Sequence, residues 1–194
     1  IKIISAKHAN MPLVVVGFSM GGGFAIRFAS SSYGDLADCY IFLAPFIHQN
    51  SPTNQENYGG WAVVHLPRIV GLVITNKLGI TRFNHLPVIE FSLPEKDKYD
   101  FTASYSYNLA FNFRPREDYQ NDVRNLRRPA VLLVGRGDEY FRPEMYDADI
   151  GDLSSALKIE IIDGVNHTGL IVQNPALESI KVWMEFLVSS GVSP

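Results

Sequence analysis

The chain has 194 residues, of which 46% are hydrophobic and 19% charged, and its formal net charge is −3 at pH 7. This length and composition predict a globular domain with a substantial core. The charge argues against nucleic acid as a partner, because phosphate binding depends on clustered lysine and arginine. Cys39 is the only cysteine, so neither an internal disulfide nor a cysteine-rich zinc site can form. We expect no metal and no cofactor.

The first residues have the pattern of a helix end. Residues 1–7 are amphipathic, as in the last turns of a helix that began earlier, and the chain does not start with methionine. We therefore expect that residues preceding Ile1 have been lost or removed. The longest uncharged run, residues 10–26, is too short and too rich in glycine to span a bilayer. No integral membrane segment is expected in this chain.

Residues 13–26 predict a strand, a sharp turn and a helix. The uncharged, β-branched run ends at Gly17, Ser19 and Gly21, which form the G-x-S-x-G pattern of a serine on a tight strand-to-helix turn. We expect that a Cβ at either flanking glycine would clash there. The Ser19 hydroxyl would then point outward. The backbone N–H of Met20 opens the helix, where unpaired N–H groups and the helix dipole favour developing negative charge, as in an oxyanion hole.

A long insertion interrupts the alternation of strands and helices. Residues 39–45 predict a second apolar strand, ended by its proline Pro45, and the helix between the two strands makes them parallel. Between residues 48 and 119 the sequence is rich in Asn, Pro, Gly and aromatic residues and shows no such alternation. Insertions of this length are typical of lids. We predict a mainly helical or irregular cap at 48–119, between core segments 1–47 and 120–194.

Alternation resumes after the insertion. We predict a short polar helix at 122–128, a strand at 129–135, a helix at 143–157 and a strand at 158–163. Pro175 then opens a last helix. A broad apolar face is predicted on it: Leu177, Ile180, Val182, Trp183, Phe186 and Leu187. The one local basic group is interpreted as a solvated helix end: Arg124, Arg127 and Arg128. Together these elements predict an α/β fold with a mostly parallel sheet flanked by helices.

Three residues of complementary chemistry follow predicted strands. Ser19 comes after the first strand, Asp138 after the third and His167 after the fourth. In open parallel sheets the carboxyl ends of the strands share one edge, where ligands bind. A serine hydroxyl is a weak nucleophile at neutral pH, so an imidazole must accept its proton and a carboxylate must orient that imidazole. The order Ser, Asp, His therefore predicts a nucleophile, an orienting acid and a general base.

On these residues the chain resembles α/β-hydrolases of the serine esterase and lysophospholipase group, near the monoacylglycerol-lipase-like and serine-aminopeptidase-like families. The resemblance rests on residues 17–22, 135–138 and 166–167. It extends from about residue 13 to residue 187, with the insertion matching only in position and length. It implies the same triad of nucleophile, acid and base, and a cap formed by the insertion.

The chain departs from this family in one respect. The family's early strands, and the loop that supplies the second oxyanion N–H, have no counterpart in this sequence. Residues 13–16 would then leave an unpaired apolar edge, which natural sheets normally cover or charge. We expect a preceding segment or a second chain to complete the sheet and to supply the second N–H.

Other acids and histidines compete for these roles. Glu139 is adjacent to Asp138 but is expected to point the other way, and Asp163 precedes the His167 loop and could cap it. The remaining histidines lack a strand-end position and are assigned to the surface or the cap: His8, His48, His65 and His85. His48 follows the second strand, so it stays a candidate for the pocket mouth.

Aromatic residues of the insertion bear on the substrate. They could line a groove for an acyl chain or form the core of the cap: Trp61, Phe83, Phe91, Tyr105, Tyr107, Phe111 and Phe113. The candidate substrate-binding residues are Phe18, His48, Trp61 and Phe111. We expect a small-molecule ester, lipid-like or aryl, because no basic cluster is present to hold a phosphate or carboxylate. The alternatives are amide or peptide cleavage, and a non-catalytic binding module on a hydrolase scaffold.

Overall fold

A four-stranded parallel sheet and a three-stranded antiparallel sheet occupy different parts of the chain. The computed structural model describes residues 1–8, 11–55, 62–92 and 102–191. In chain order the helices and strands are α1 (Lys2–Lys7), β1 (Val14–Phe18), α2 (Met20–Ala29), β2 (Cys39–Leu43), β3 (Ala62–Val64), α3 (Leu66–Lys77), β4 (Pro87–Phe91), β5 (Ser104–Ser106), α4 (Tyr107–Phe113), α5 (Tyr119–Arg124), β6 (Ala130–Gly135), α6 (Glu144–Ile150), β7 (Leu157–Ile162) and α7 (Asn174–Gly191).

These elements fall into two compact units. Unit 1 comprises Ile1–Gln55 and Pro115–Pro194 and contains the parallel sheet. Unit 2 comprises Glu56–Arg114 and contains the antiparallel sheet.

The sheet of unit 1 confirms the predicted α/β architecture. Its strand order is β1-β2-β6-β7, and every pair is parallel. All residues of β2 and β6 are buried, which explains their uncharged sequences, because both faces of a parallel sheet are covered. The register pairs Phe18 with Leu43 and Gly135 with Ile162, so the strands end along one edge of the sheet. This edge positions the residues that follow the strands.

Strand β1 lies at one end of the described strand order. It pairs with β2, and Val16 on β1 is half exposed. The segment or second chain expected beside β1 stays a prediction.

Two helices of unit 1 are shorter than predicted. Helix α5 ends at Arg124, and α6 gives way to a 3-10 turn at Gly151–Leu153. Arg127 and Arg128 lie beyond α5 and both form ion pairs with Asp35. Both arginine side chains are solvent-exposed, as the interpretation expected, but they lie beyond the last residue of α5 and pair with a carboxylate elsewhere in unit 1.

Helix α7 covers the sheet with a narrower apolar stripe than the sequence predicted. The residues that pack against the core are mostly three or four positions apart: Ala176, Ile180, Trp183, Leu187 and Val188. Three residues of the predicted face are exposed instead: Leu177, Val182 and Phe186. A polar contact fixes the helix rotation, because the Trp183 indole N–H and the Ser179 hydroxyl both donate to Glu160 on β7.

Unit 2 contains an antiparallel sheet that the sequence did not predict. Strand β4 pairs with β3 on one side and with β5 on the other. A small core is formed by residues from α3, β4 and α4: Leu72, Val88, Tyr107 and Ala110. Most of the described residues of this segment are helical or irregular, and the antiparallel sheet is added to them. Strands β3 and β5 have three residues each, too few to show an alternating pattern.

Candidate active site

Ser19 lies on the turn between β1 and α2 in a backbone conformation that costs about 1–3 kcal/mol for a residue with a side chain. Its φ is 53° and its ψ is −119°. Four backbone hydrogen bonds hold it there. The Ser19 N–H donates to the Leu43 carbonyl (2.9 Å), and the Ser19 carbonyl accepts from the N–H groups of Gly22 (3.0 Å), Gly23 (3.2 Å) and Phe46 (2.9 Å). The surrounding structure thus imposes the strain, which is typical of functional positions.

Close packing explains part of the glycine pattern around this turn. A Cβ at Gly17 would lie 2.5 Å from the carbonyl oxygen of Gly21, so the predicted clash exists there. A Cβ at Gly21 would meet nothing within 4 Å, and the clash expected at that position was wrong. The closest contact around this turn is at Gly23, which is not part of the G-x-S-x-G pattern. At Gly23 a Cβ would lie 2.1 Å from the carbonyl oxygen of Phe46.

Met20 is the first residue of α2. Its N–H therefore has no acceptor within that helix and lies at the positive end of the helix dipole. This is the arrangement expected for one oxyanion donor, and the assignment of that role to Met20 stays a prediction.

Asp138 follows β6 in a turn organised around its own carboxylate. Its Oδ1 accepts the backbone N–H groups of Tyr140 and Phe141, both at 2.9 Å. Its Oδ2 lies 2.8 Å from Nδ1 of His167, and the Asp138 side chain is completely buried. Donation from Nδ1 to this carboxylate leaves Nε2 of the neutral imidazole free to accept a proton. The predicted acid and the predicted base are therefore in direct contact.

Aromatic rings surround the His167 imidazole. The ring centroids of Phe18, Tyr140 and Phe141 lie 4.7, 4.9 and 5.4 Å from the centroid of the imidazole. The imidazole itself is almost completely buried. Such packing restricts the ring to one orientation and limits its contact with water. The rings of Tyr140 and Phe141 follow Asp138 in the chain, so the turn that holds the acid also positions the base.

The other two acids considered from the sequence take different roles. Glu139 does not point away: its Oε2 accepts the backbone N–H of His167 at 3.0 Å, which corrects the sequence expectation. Asp163 forms an exposed ion pair with Arg136. Of the three acids, only Asp138 contacts the imidazole. The family resemblance at residues 135–138 pointed to Asp138, and the conformation of the turn is what directs this carboxylate to the ring.

Ser19 follows Phe18 in the chain, and the ring of Phe18 packs on the imidazole of His167. Within the described residues no hydrogen bond joins the Ser19 hydroxyl to the imidazole. Catalytic hydrogen bonds are often loose in the absence of substrate. The structure therefore brings the acid and the base together and places the serine turn next to the base.

His48, a candidate for the pocket mouth, lies in a polar part of unit 1. Its Nδ1 accepts the N–H of Asn50 (3.2 Å), its Nε2 lies 3.3 Å from a carboxylate oxygen of Glu117, and its ring stacks on Tyr119 with centroids 5.4 Å apart. These residues line a pocket of about 330 Å³ together with Asp118 and Gln120. The assignment of His48 to substrate binding stays a prediction.

The remaining candidates divide between the two units. Phe18 lies in unit 1 against the imidazole. Phe111 lies in unit 2, where its ring stacks on Tyr107 with centroids 4.1 Å apart and packs against the core of that unit. This contact fits the alternative in which cap aromatics form the core of the cap. Trp61 lies outside the described residues.

Three further properties bear on the chemistry. Within the ranges that the structure describes, no group of three or more His, Cys, Asp or Glu side chains could hold a metal ion. Cys39 is buried, and burial raises the pKa of its thiol to about 11, so it is not a nucleophile at neutral pH. Of the helices described, none has the length and apolar character needed to cross a membrane.

Comparison with known proteins relates the chain to hydrolases. The family model described as serine aminopeptidase, S33 (Hydrolase_4), matches residues 1–171. No curated protein matches the sequence significantly.

Solved structures with the same fold include two of named activity. A monoacylglycerol lipase from Paleococcus ferrophilus has a TM-score of 0.55 at 19% identity, with 97% of this chain and 73% of that chain covered. A Burkholderia cenocepacia protein provisionally named an aryl esterase has a TM-score of 0.63 at 14% identity, with 96% and 68% covered. At these identities the likeness establishes the fold alone, which is that of the α/β-hydrolases.

Proposed function

The chain belongs to the serine aminopeptidase S33 family of α/β-hydrolases, and on that premise we propose that it is a serine hydrolase that cleaves carboxylic esters through an acyl-enzyme. The observation that carries the proposal is the buried Asp138–His167 pair, with 2.8 Å between Oδ2 and Nδ1, beside the strained turn of Ser19. A buried carboxylate with three donors holds the imidazole in the tautomer that a general base requires.

In the first half of the proposed reaction, the Ser19 hydroxyl attacks the ester carbonyl carbon and its proton passes to Nε2 of His167. The new C–O bond converts the carbonyl oxygen into an oxyanion, to which the Met20 N–H donates. One such donor contributes about 10²–10³ in rate. The tetrahedral intermediate collapses, the bond to the alcohol oxygen breaks, and His167 returns its proton to the departing alcohol.

In the second half, water replaces the alcohol. His167 accepts a proton from the water as it attacks the acyl carbon, and the second tetrahedral intermediate releases the carboxylic acid while His167 returns the proton to Ser19. Asp138 keeps its proton-free, charged form throughout and stabilises the imidazolium that forms in each half.

An apolar ester is the substrate class that we favour. The imidazole lies among three aromatic rings, and two of them, Phe18 and Tyr140, are partly exposed and offer an apolar surface near it. The names of two structural neighbours, a monoacylglycerol lipase and a provisional aryl esterase, agree with this class.

The test combines a fluorophosphonate probe with a panel of p-nitrophenyl esters of increasing acyl length. Ser19→Ala should lose both probe labelling and ester turnover while keeping its fold, because the partly exposed hydroxyl contributes little to the core. Ser31→Ala is the matched control, since this serine follows the other end of α2 and its hydroxyl donates to the Phe28 carbonyl. Retention of turnover in Ser19→Ala would refute the nucleophile. A wild-type protein that neither labels nor turns over any ester would favour the non-catalytic binding module.

Amide hydrolysis is a second candidate, favoured by the family description as a serine aminopeptidase. The same residues would act, with His167 protonating a departing amine instead of an alcohol. Aminoacyl p-nitroanilides measured beside the ester panel separate the two. A higher kcat/KM for the anilides than for every ester would reverse our preference.

A further inference from the structure

Residues 53–55 of unit 1 pair with the turn that begins at Asp138. We call residues 138–142 the acid turn. Asn54 lies opposite Phe141 in an isolated antiparallel bridge. Backbone hydrogen bonds flank this bridge on both sides: the Arg142 N–H donates to the Thr53 carbonyl (2.7 Å), and the Gln55 N–H donates to the Tyr140 carbonyl (3.2 Å). A segment far away in the sequence therefore supports the acid turn.

Gln55 donates a second hydrogen bond to the acid turn through its side chain. Its Nε2 lies 2.9 Å from the Phe141 carbonyl oxygen, and the residue is partly buried. Gln55 thus binds the carbonyls of two consecutive residues, Tyr140 and Phe141. The N–H groups of the same two residues donate to Oδ1 of Asp138, and their rings pack on the His167 imidazole. Gln55 therefore holds the two residues that contact both the acid and the base.

One peptide group connects Gln55 to the imidazole through consecutive hydrogen bonds. The carbonyl of Tyr140 and the N–H of Phe141 belong to this group and point in opposite directions, since the peptide is trans. The carbonyl accepts from Gln55, and the N–H donates to Oδ1 of Asp138, whose Oδ2 lies 2.8 Å from Nδ1 of His167. Hydrogen bonds in such a chain polarise and strengthen one another. A change at Gln55 therefore reaches the imidazole through the acid turn.

The support is itself fixed, because Asn54 anchors it to the loop after β2. The Asn54 side chain is buried, and its Nδ2 donates to backbone carbonyls of that loop: His48 (2.8 Å), Gln49 (3.2 Å) and Ser51 (3.0 Å). Buried hydrogen bonds of this kind make the local structure rigid. Residues 53–55 thus form a rigid support against which the acid turn lies.

We propose that Gln55 is a positioning residue of the candidate active site, which holds the acid turn so that Asp138 keeps the His167 imidazole in its reactive orientation. A base held close to its productive geometry accelerates the reaction, and small misplacements cost rate. The effect on rate rests on the proposed hydrolase function. The effect on the orientation of the imidazole does not, because it concerns contacts within the protein alone.

Gln55→Met tests this role, since Met keeps the length of the side chain and removes the donor. The first readout is the Nδ1 proton of His167, observed by NMR in protein with isotope-labelled histidine and assigned by its loss in His167→Ala. No substrate is added, so the result does not depend on ester hydrolysis. We expect this proton to exchange with water about fivefold faster in Gln55→Met, because one hydrogen bond of average strength corresponds to about this factor.

The second readout is the split between kcat and KM on the best ester of the panel. Gln55→Met should lower kcat about fivefold with KM unchanged, because it acts on the base and not on the substrate. Gln55→Lys places a donor of similar reach at the same position and should restore both readouts. Asn125→Leu is the matched control, since the Asn125 amide also donates to a backbone carbonyl, that of Asn121 (2.7 Å), at the end of α5. It should behave like the wild type.

The proposal is overturned if proton exchange or kcat in Gln55→Met stays within about twofold of wild type, if the wild type shows no slowly exchanging Nδ1 proton, or if Asn125→Leu changes as much. A higher KM with unchanged kcat would make Gln55 a substrate contact instead. A lower free energy of unfolding with both readouts unchanged would make its role structural. Faster exchange in Gln55→Met, together with a wild type that turns over no ester, would support the positioning role and overturn the proposed hydrolase function.

Discussion

Replacing Asp138 by Asn tests the proposed active site most directly, because this change removes the charge and keeps the shape. The amide oxygen can still accept the N–H groups of Tyr140 and Phe141, which now lie 2.9 Å from Oδ1. The amide NH₂ then faces Nδ1 of His167, 2.8 Å from Oδ2 in the wild type. Two donors cannot face each other, so the imidazole must move its proton to Nε2, where it can no longer accept the proton of Ser19.

The expected loss follows from that tautomer change. Turnover should fall by about 10⁴-fold, which corresponds to about 5 kcal/mol of transition-state stabilisation. Stability should change little. Asp138→Ala should also lose turnover, but it leaves the buried Phe141 N–H without an acceptor, which costs about 1–3 kcal/mol of unfolding free energy. The two variants therefore separate the chemical role of the carboxylate from its structural role.

The assay is kcat/KM on the best ester of the panel, with the free energy of unfolding from denaturant titration. Asp163→Asn is the matched control, since Asp163 carries the same functional group in an exposed ion pair with Arg136. It should retain wild-type turnover. Our reasoning is refuted if Asp138→Asn stays within about tenfold of wild type, or if Asp163→Asn loses activity to the same extent.

Three further predictions concern the surroundings of the site. Glu139→Ala should lower kcat about tenfold with little change in KM, because the backbone N–H of His167 loses its acceptor. Glu139→Gln keeps an acceptor oxygen and should retain most activity. Equal losses in the two variants would assign the effect to the charge of Glu139 instead. In denaturant titrations Gly23→Ala should lower the free energy of unfolding by about 3 kcal/mol or more, since the new Cβ would lie 2.1 Å from a backbone carbonyl oxygen. Gly21→Ala has open space around its Cβ and should be neutral or slightly stabilising. Cys39 should resist iodoacetamide at pH 8 in the native protein and react after unfolding, because the thiol is buried and its pKa is about 11; rapid labelling of the native protein would contradict its burial.

Local patterns in the sequence determined the strands and the turn of the candidate site. The uncharged runs of β2 and β6 predicted buried parallel strands, since residues inside a sheet covered on both faces cannot carry unpaired charge. The run of β1 likewise predicted a strand, although Val16 on it is half exposed. Gly17 predicted a tight turn for a steric reason that the structure bears out: a Cβ there would lie 2.5 Å from the Gly21 carbonyl oxygen. Such features depend on residues a few positions apart, and the sequence therefore contains them directly.

Tertiary structure alone decided which groups meet across the sheet edge. His167 is 29 residues from Asp138 and 28 from Glu139, and both carboxylates follow the same strand. The turn after β6 and the parallel register with β7 direct one carboxylate to the imidazole and the other to the backbone of the same residue. The narrow inward stripe of α7 likewise depends on the contact of Trp183 with Glu160 on β7, and the short strands of unit 2 gain stability only from their partners. These contacts join segments that are far apart in the chain. They contribute to stability only after the chain has folded, so no local pattern in the sequence predicts them.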